Sequence, residues 1–221
     1  MSTGTKARHE KHEIVARERP ELLVFCGIAG IVGNVMPLVA ITAGTLLTQH
    51  DFVADTISDL ARGERKWIMD VGFYFNAGGL LALAIAAAHA HLGRAGWTLG
   101  LFCLSFLALV EVLLGVWDEF GQQTPDMSVH TQLTFFLGPL YLAGPLAMAE
   151  GAKGVHRAYK PLFLSAAAVW LVFAVAFKLA PNSFDGLLEK IAVAGTLLWL
   201  VPLSWLFLAR GRETLHRLTG D

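Results

Sequence analysis

Six separate stretches of the chain are apolar over about the length that an α-helix needs to cross a bilayer, which takes roughly 20 residues for a hydrocarbon core of about 30 Å. They run from Leu22 to Leu47, Ile68 to His91, Gly96 to Trp117, Val129 to Ala149, Pro161 to Ala180 and Leu188 to Ala209. Backbone polar groups in lipid need partners within their own segment, and no barrel-like alternation is present, so all six are predicted to be helices. The predicted class is an all-α polytopic membrane bundle. Composition agrees, with 55% hydrophobic and only 16% charged residues in 221, against about 25% charged in an ordinary soluble domain. Residues 22–209 form one transmembrane domain between polar tails at 1–21 and 210–221. The first apolar run is too long for a signal peptide and is read as a retained span.

Lysine and arginine counts orient the bundle. Both tails and the loops after spans two and four carry twelve of them, while the opposite side carries three, Arg62, Arg65 and Lys66. Both termini are therefore expected on the cytoplasmic side of the membrane. Trp67 and Trp117 would mark the outer interface, Trp97 and Trp205 the inner one. A net charge of −1 gives no basic field for nucleic acid. Cys26 and Cys103 lie in apolar runs with no metal or disulfide spacing.

The first outer loop carries Val53, Ile57, Leu60 and Ala61 on one helical face, with Asp51 as a plausible N-cap and Gly63 as a stop. A short amphipathic helix is predicted there, lying on the outer interface as a lid, with Asp55, Ser58, Asp59 and Arg62 on its polar face. Gly96 and Gly100, and Ala29 and Gly33, form small-xxx-small packing steps. Pro37, Pro139, Pro145 and Pro202 interrupt spans one, four and six.

Ionisable groups at bilayer depth are costly and usually face the bundle interior. Here they share the outer half. Glu111, Gly115 and Asp118 fall on one face of span three, and the small Gly115 leaves room for a ligand or a neighbouring helix. Asp70 opens span two, with Asn76 deeper. His130 opens span four with Thr134 and Gly138 on its face. Lys178 closes span five, and Glu189 and Lys190 open span six. His89 and His91 end span two on the inner side, and Asn34 lies mid-span.

Several short motifs carry a likeness. They are Thr56-Ile57-Ser58-Asp59-Leu60, Trp67-Ile68-Met69-Asp70 with Phe73, Leu114-Gly115 ahead of Asp118, Val129-His130-Thr131, and Gly186-Leu187-Leu188-Glu189-Lys190. Together they resemble the bacterial membrane family known as domain of unknown function 998, with its IS-x-L segment, aspartate-led helix and G-x-x-E-R opening of the last helix. The likeness covers most of residues 22–209. It implies the fold and an outward site, and no reaction. Lys190 stands where that pattern has arginine, and Trp117-Asp118 where it has a Phe-Pro step, which weakens a bidentate anion role at 190. A fainter likeness is to DRAM/Frag-type membrane proteins.

Three functions compete. A lipid or small molecule is bound or transported in an outward polar pocket, with Asn76, Thr134, Lys178, Glu189 and Lys190 as binding residues. Alternatively, Ser58, Asp70, Glu111, Asp118 and His130 are catalytic. Ser58 with His130 and Asp118 or Asp70 would make a hydrolytic set, while Glu111, Asp118, Asp70 and Glu189 with His130 would act as acid and base on a lipid headgroup or hold a divalent metal. No spacing such as HExxH supports that last case, and no metal site or cofactor is assigned. Third, the chain is an accessory subunit of a larger membrane complex or a homo-oligomer. Membrane lipids are the expected partners throughout.

Overall fold

Each of the six apolar stretches becomes one helix. The structure, a computed structural model, describes residues 19–61, 63–93, 95–117 and 128–219. The long helices are α1 (Pro20–Leu47), α3 (Trp67–Ala90), α4 (Ala95–Val116), α5 (Val129–Lys153), α6 (Tyr159–Leu179) and α7 (Asp185–Thr219). All six are long and apolar enough to span a membrane. Between α1 and α3 lie the four-residue α2 (Ile57–Leu60) and a 3-10 turn at Gly63–Arg65. The last helix runs ten residues beyond the apolar stretch, through Arg210 and Arg217 to Thr219.

The long helices form a ring. Each packs mainly on its neighbours in the chain, and α7 returns against α1 to close it. Side chains are distributed inside out relative to a soluble protein. Leu99, Phe102, Phe106 and Leu109 make an exposed apolar stripe on α4, while Asn34, Asn76, Glu111, His130 and Thr196 are buried within the ring. That is the arrangement lipid demands, apolar groups outward and ionisable groups inward. Hydroxyls inside the helices are satisfied locally, as where Thr45 donates to the Ile41 carbonyl and Ser204 to that of Leu200, the usual back-bonding of Ser and Thr.

The helices meet where side chains are smallest. A Cβ on Gly33 would lie 2.7 Å from the Gly79 Cα, and one on Gly96 would lie 2.6 Å from the Ala147 carbonyl oxygen. Both glycines come from the small-residue steps of the sequence. Gly33→Val should force α1 and α3 apart, lowering stability by about 1–3 kcal/mol. Gly78→Ala, which meets nothing within 4 Å, should be neutral or gain up to about 1 kcal/mol in helix propensity. Thermal unfolding in detergent separates the two.

Two details differ from the sequence reading. Trp97 is not an interface anchor; it is buried, donates to the Ala87 carbonyl and packs edge-on against Phe207. The lid helix is about a third of the expected length, four residues. Asp51 accepts from the Val53 and Ala54 N–H groups and closes a turn there. The next carbonyls are then drawn to α7 rather than into a helix, Val53 accepting from the Leu187 N–H and Asp55 from the Lys190 ammonium. The helix starts only at Thr56, whose hydroxyl and Asp59 form a reciprocal capping box. It ends before Gly63, whose φ of +66° suits glycine.

Candidate functional site

The lid is held on two sides. Ile57, Leu60 and Ala61 pack with Ala40, Ile41, Ile68 and Met69 of α1 and α3. Each fully buried Ile or Leu contributes about 1.5–3 kcal/mol where water is the alternative. On the other side the lid is clamped to the start of α7. The Ile57 N–H donates to Glu189 Oε2 at 2.6 Å, and Lys190 Nζ donates to the Asp55 carbonyl at 2.6 Å and to Gly186 at 3.3 Å. Gly186 permits this approach, since a Cβ there would lie 2.5 Å from the Asp55 carbonyl carbon.

This placement turns Ser58 inward rather than toward the interface. Its Oγ lies 3.1 Å from His130 Nε2, and His130 Nδ1 lies 3.0 Å from the Trp117 carbonyl oxygen. A carbonyl only accepts, so Nδ1 carries the proton and donates it. Nε2 is then the acceptor for the Ser58 hydroxyl. His130 is buried and Ser58 half-buried. The first turn of α5 is set by Ser128, whose hydroxyl accepts from the Thr131 N–H at 3.0 Å.

The pair stands where two cavities join. The first is a polar chamber of about 70 Å³ enclosed by the ring, to which all seven helices contribute. Glu111 and Tyr141 lie in it, the tyrosine hydroxyl donating to Glu111 Oε1 at 3.4 Å. Asn76 Nδ2 donates to Asn34 Oδ1 at 3.0 Å across α3 and α1. The second is a groove of about 600 Å³ between α5, α6 and α7, lined largely by apolar groups such as Leu142, Leu171 and Val175. Ser58, His130, Thr134, Leu137, Trp170 and Glu189 line both. Beyond the chamber the bundle is solid, with Leu83, Leu104, Leu107, Trp199 and Leu203 fully buried.

Of the residues singled out in the sequence, the structure brings Ser58, Asn76, Glu111, His130, Thr134 and Glu189 to the chamber, and Lys178 to the groove, over the rings of Phe135 and Phe177. Asp70 is not among them. It lies one turn from Lys66, 3.6 Å away, and lines neither cavity. Lys190 donates to the Asp55 carbonyl of the lid and the Gly186 carbonyl of α7, and also lines neither. Asp118 and Arg62 lie outside the described residues. Gly115 faces Tyr74 of α3, a neighbouring helix rather than a ligand space. Among the described residues no group of three His, Cys, Asp or Glu could hold a metal.

Tyr141, Asn34 and the Trp117 carbonyl were not assigned to a site from sequence. Tyr141 had a signal, because His130, Thr134, Leu137 and Tyr141 follow an i, i+4, i+7, i+11 stripe.

His50, just before the lid, has a side chain only 3% exposed. Its Nδ1 lies 3.7 Å from Asp55 Oδ2, and its Nε2 has no partner among the described residues. Burial pushes the imidazole below its ordinary value, helped by Lys190, while Asp55, Asp59 and Asp51 oppose this without prevailing. The docked histidine is therefore neutral at pH 7. A released His50 takes up a proton near 6.5 that the docked one refuses. Its penalty on docking is absent above that value and grows as pH falls, by at most about tenfold per pH unit. Asp51, held below its ordinary value by the Val53 and Ala54 N–H groups, titrates in a lower window. The protection factors of residues 53–60, with observed exchange referred to the intrinsic rate at each pH, should fall from pH 7.5 to 5.5, and His50→Gln should abolish that dependence.

The family model described as "Protein of unknown function (DUF998)" matches residues 31–206, about four fifths of the chain. No curated protein and no solved structure matches, and the DRAM/Frag likeness finds no support. With six apolar helices over the same span, the chain is a multi-pass membrane protein that belongs to the DUF998 family.

Proposed function

We propose that the protein is a membrane-embedded hydrolase or acyltransferase that acts on the ester of a membrane lipid. The observation that carries this is the relay from Ser58 Oγ through His130 to the Trp117 carbonyl, at 3.1 and 3.0 Å. Nucleophile, base and orienting group within hydrogen-bond reach is the arrangement that activates a serine. Its place at the mouth of a groove along α5 and α6 supports a substrate arriving sideways from the bilayer. By the charge count of the loops, that mouth lies on the outer leaflet.

In this reading Ser58 Oγ attacks the ester carbonyl as His130 Nε2 takes its proton. The tetrahedral adduct collapses, breaking the acyl–oxygen bond. His130 returns the proton to the departing alcohol and leaves an acyl-Ser58 ester. A water, or an acceptor alcohol, then attacks that ester with His130 again as base, which frees the acid or the new ester and restores the serine. The Trp117 carbonyl holds the imidazole in the required tautomer. It carries no full charge, so the imidazolium is less stabilised than beside a carboxylate. Glu189 lines the same junction, its carboxyl accepting from the Ile57 N–H.

Transport is less favoured, because the chamber is closed beyond Glu111 by fully buried leucines and Trp199. The test is covalent labelling. A fluorophosphonate should mark Ser58 in the protein reconstituted in nanodiscs, read by peptide mass spectrometry, and His130→Gln should prevent it. Labelling elsewhere only, or equal labelling of the variant, refutes the reading.

A further inference from the structure

The two cavities at Ser58 differ in size, charge and surroundings, and each suits a different part of one molecule. We infer that the substrate is a single-chain acyl ester of a small, unphosphorylated polyol, of the monoacylglycerol type, with its chain in the groove and its hydroxyl-bearing head in the chamber. This rests on the hydrolase reading for the ester but not for the binding geometry.

The groove follows α5 from His130 to Leu142, about 18 Å at 1.5 Å per residue. That is close to the depth of one leaflet, half of a hydrocarbon core of about 30 Å. Its volume of about 600 Å³ lies within the roughly 300–1,000 Å³ of small-molecule sites. Leu171, Val175 and Leu179 on its rim are exposed in a part of the bundle that meets lipid, so the occupant at hand is a hydrocarbon chain. Gly138 lines the groove, and a side chain added there would meet nothing within 4 Å.

The chamber is smaller and carries a larger share of polar groups. About 70 Å³ holds several waters or a head of glycerol size, and not a sugar or a phosphodiester. Its ionisable lining groups are Glu111, Glu189 and His130, with no Lys or Arg. A phosphate there would meet two carboxyl side chains and no lysine or arginine, which disfavours a dianion in a low-dielectric interior. Lys190 does not relieve this, since its ammonium is directed at the Asp55 and Gly186 carbonyls. Lys178 stands in the groove, outside the chamber. Hydroxyl donors suit the chamber well. Glu111 is 6% exposed, and among the described residues its only hydrogen-bond partner is the Tyr141 hydroxyl at 3.4 Å. A carboxyl can make several hydrogen bonds whether or not it is ionised, so capacity remains open toward the cavity. Glu111 lies six residues below Trp117, about 9 Å along α4. An acylglycerol whose ester carbonyl sits at Ser58 has its free hydroxyls in the chamber that Glu111 also lines.

The test uses the full chain in nanodiscs, with Ser58→Ala to prevent turnover. Binding of 1-oleoylglycerol, oleoyl lysophosphatidic acid and methyl oleate is read by native mass spectrometry. The expected order has 1-oleoylglycerol at least tenfold tighter than the other two. Glu111→Leu, on the same background, should bring it to within about threefold of methyl oleate. Glu111→Gln, which keeps the shape and one acceptor oxygen, should give a smaller loss and guards against misfolding of the first variant. Gly138→Phe should weaken all three oleoyl lipids tenfold and spare 1-octanoylglycerol. Equal or tighter binding of the phosphate lipid, indifference to both Glu111 variants, or a lipid-free dimer sealed over the groove overturns the inference. The wild-type protein separates this from the parent reading. Selective binding of 1-oleoylglycerol without cleavage refutes the hydrolase and leaves the site. Cleavage of all three esters at equal rates refutes the site and leaves the hydrolase.

Discussion

Ser58→Ala is expected to lower ester turnover by about 1,000-fold or more, and His130→Ala by a similar factor, with the double variant no more than a few-fold worse than either. Groups that act as one unit fail together, so the second loss adds little once the first has removed the activated oxygen. The competing account is that the Ser58–His130 hydrogen bond merely pins the lid. Magnitudes decide between them. One neutral hydrogen bond contributes about 0.5–1.5 kcal/mol net, which is at most about tenfold, since about 1.4 kcal/mol is a factor of ten. A thousandfold loss corresponds to about 4 kcal/mol in the barrier. The lid also keeps the contacts of Ile57 and Leu60 and the bond to Glu189 when Ser58 is truncated. Losses below tenfold that multiply in the double variant would leave the pair a structural latch. The measurement is kcat/KM for a soluble ester on protein whose lid exchange has been checked.

The bundle was legible because its signal is long. Twenty apolar residues have few folds open to them in lipid, and all six stretches are helices, the last running ten residues past its apolar end. The buried polar set was legible for a related reason. Glu111 and Asn76 are too costly at that depth to face lipid, so the sequence already pointed them inward. What carried no signal were the backbone groups. The Trp117 carbonyl that orients His130 belongs to every residue type equally, and the carbonyls of Val53 and Asp55 that shorten the lid helix are equally anonymous. Lys190 and Asp70 were read as site residues from depth alone. Their local partners decide otherwise. Asp70 has Lys66 one turn before it, an i,i+4 pair visible in the sequence. Lys190 has the Gly186 carbonyl one turn behind it and the lid above it. The closing of α7 onto α1, which makes a chamber out of six spans, depends on contacts between chain ends that no local pattern encodes.

Gly186→Leu carries the second large effect, about 100-fold in kcat/KM, from a residue that lines neither cavity. A Cβ at this position would fall on the Asp55 carbonyl, 2.5 Å from its carbon and 3.0 Å from the carbonyl carbon of Ala54. These are backbone atoms, so no rotamer change relieves the clash and the lid segment itself must move. That segment is tied to α7 by the Leu187 N–H on Val53 and by Lys190 on Asp55, both beside the clash. Ser58 stands three residues beyond Asp55 on the same short piece of chain, joined to it by the capping box at Thr56. Displacing the lid by about 1 Å therefore carries Ser58 Oγ out of reach of His130, and a misplacement of that size costs about 100-fold in rate. The rest of the bundle has no reason to yield, because the long helices hold one another through contacts remote from Gly186. Thermal unfolding should consequently shift little, while exchange over residues 53–60 and fluorophosphonate labelling of Ser58 change together. Lys190→Met tests the same linkage more gently. It removes the charge-assisted hydrogen bond to the lid at Asp55, about 1.5–3 kcal/mol, together with the longer one to Gly186 on its own helix, without a clash, and should loosen the lid while leaving labelling slow rather than absent. Unchanged labelling in Gly186→Leu would mean that Ser58 is held by the α1–α3 side of the lid alone. The clamp to α7 would then have no part in aligning the serine with its base.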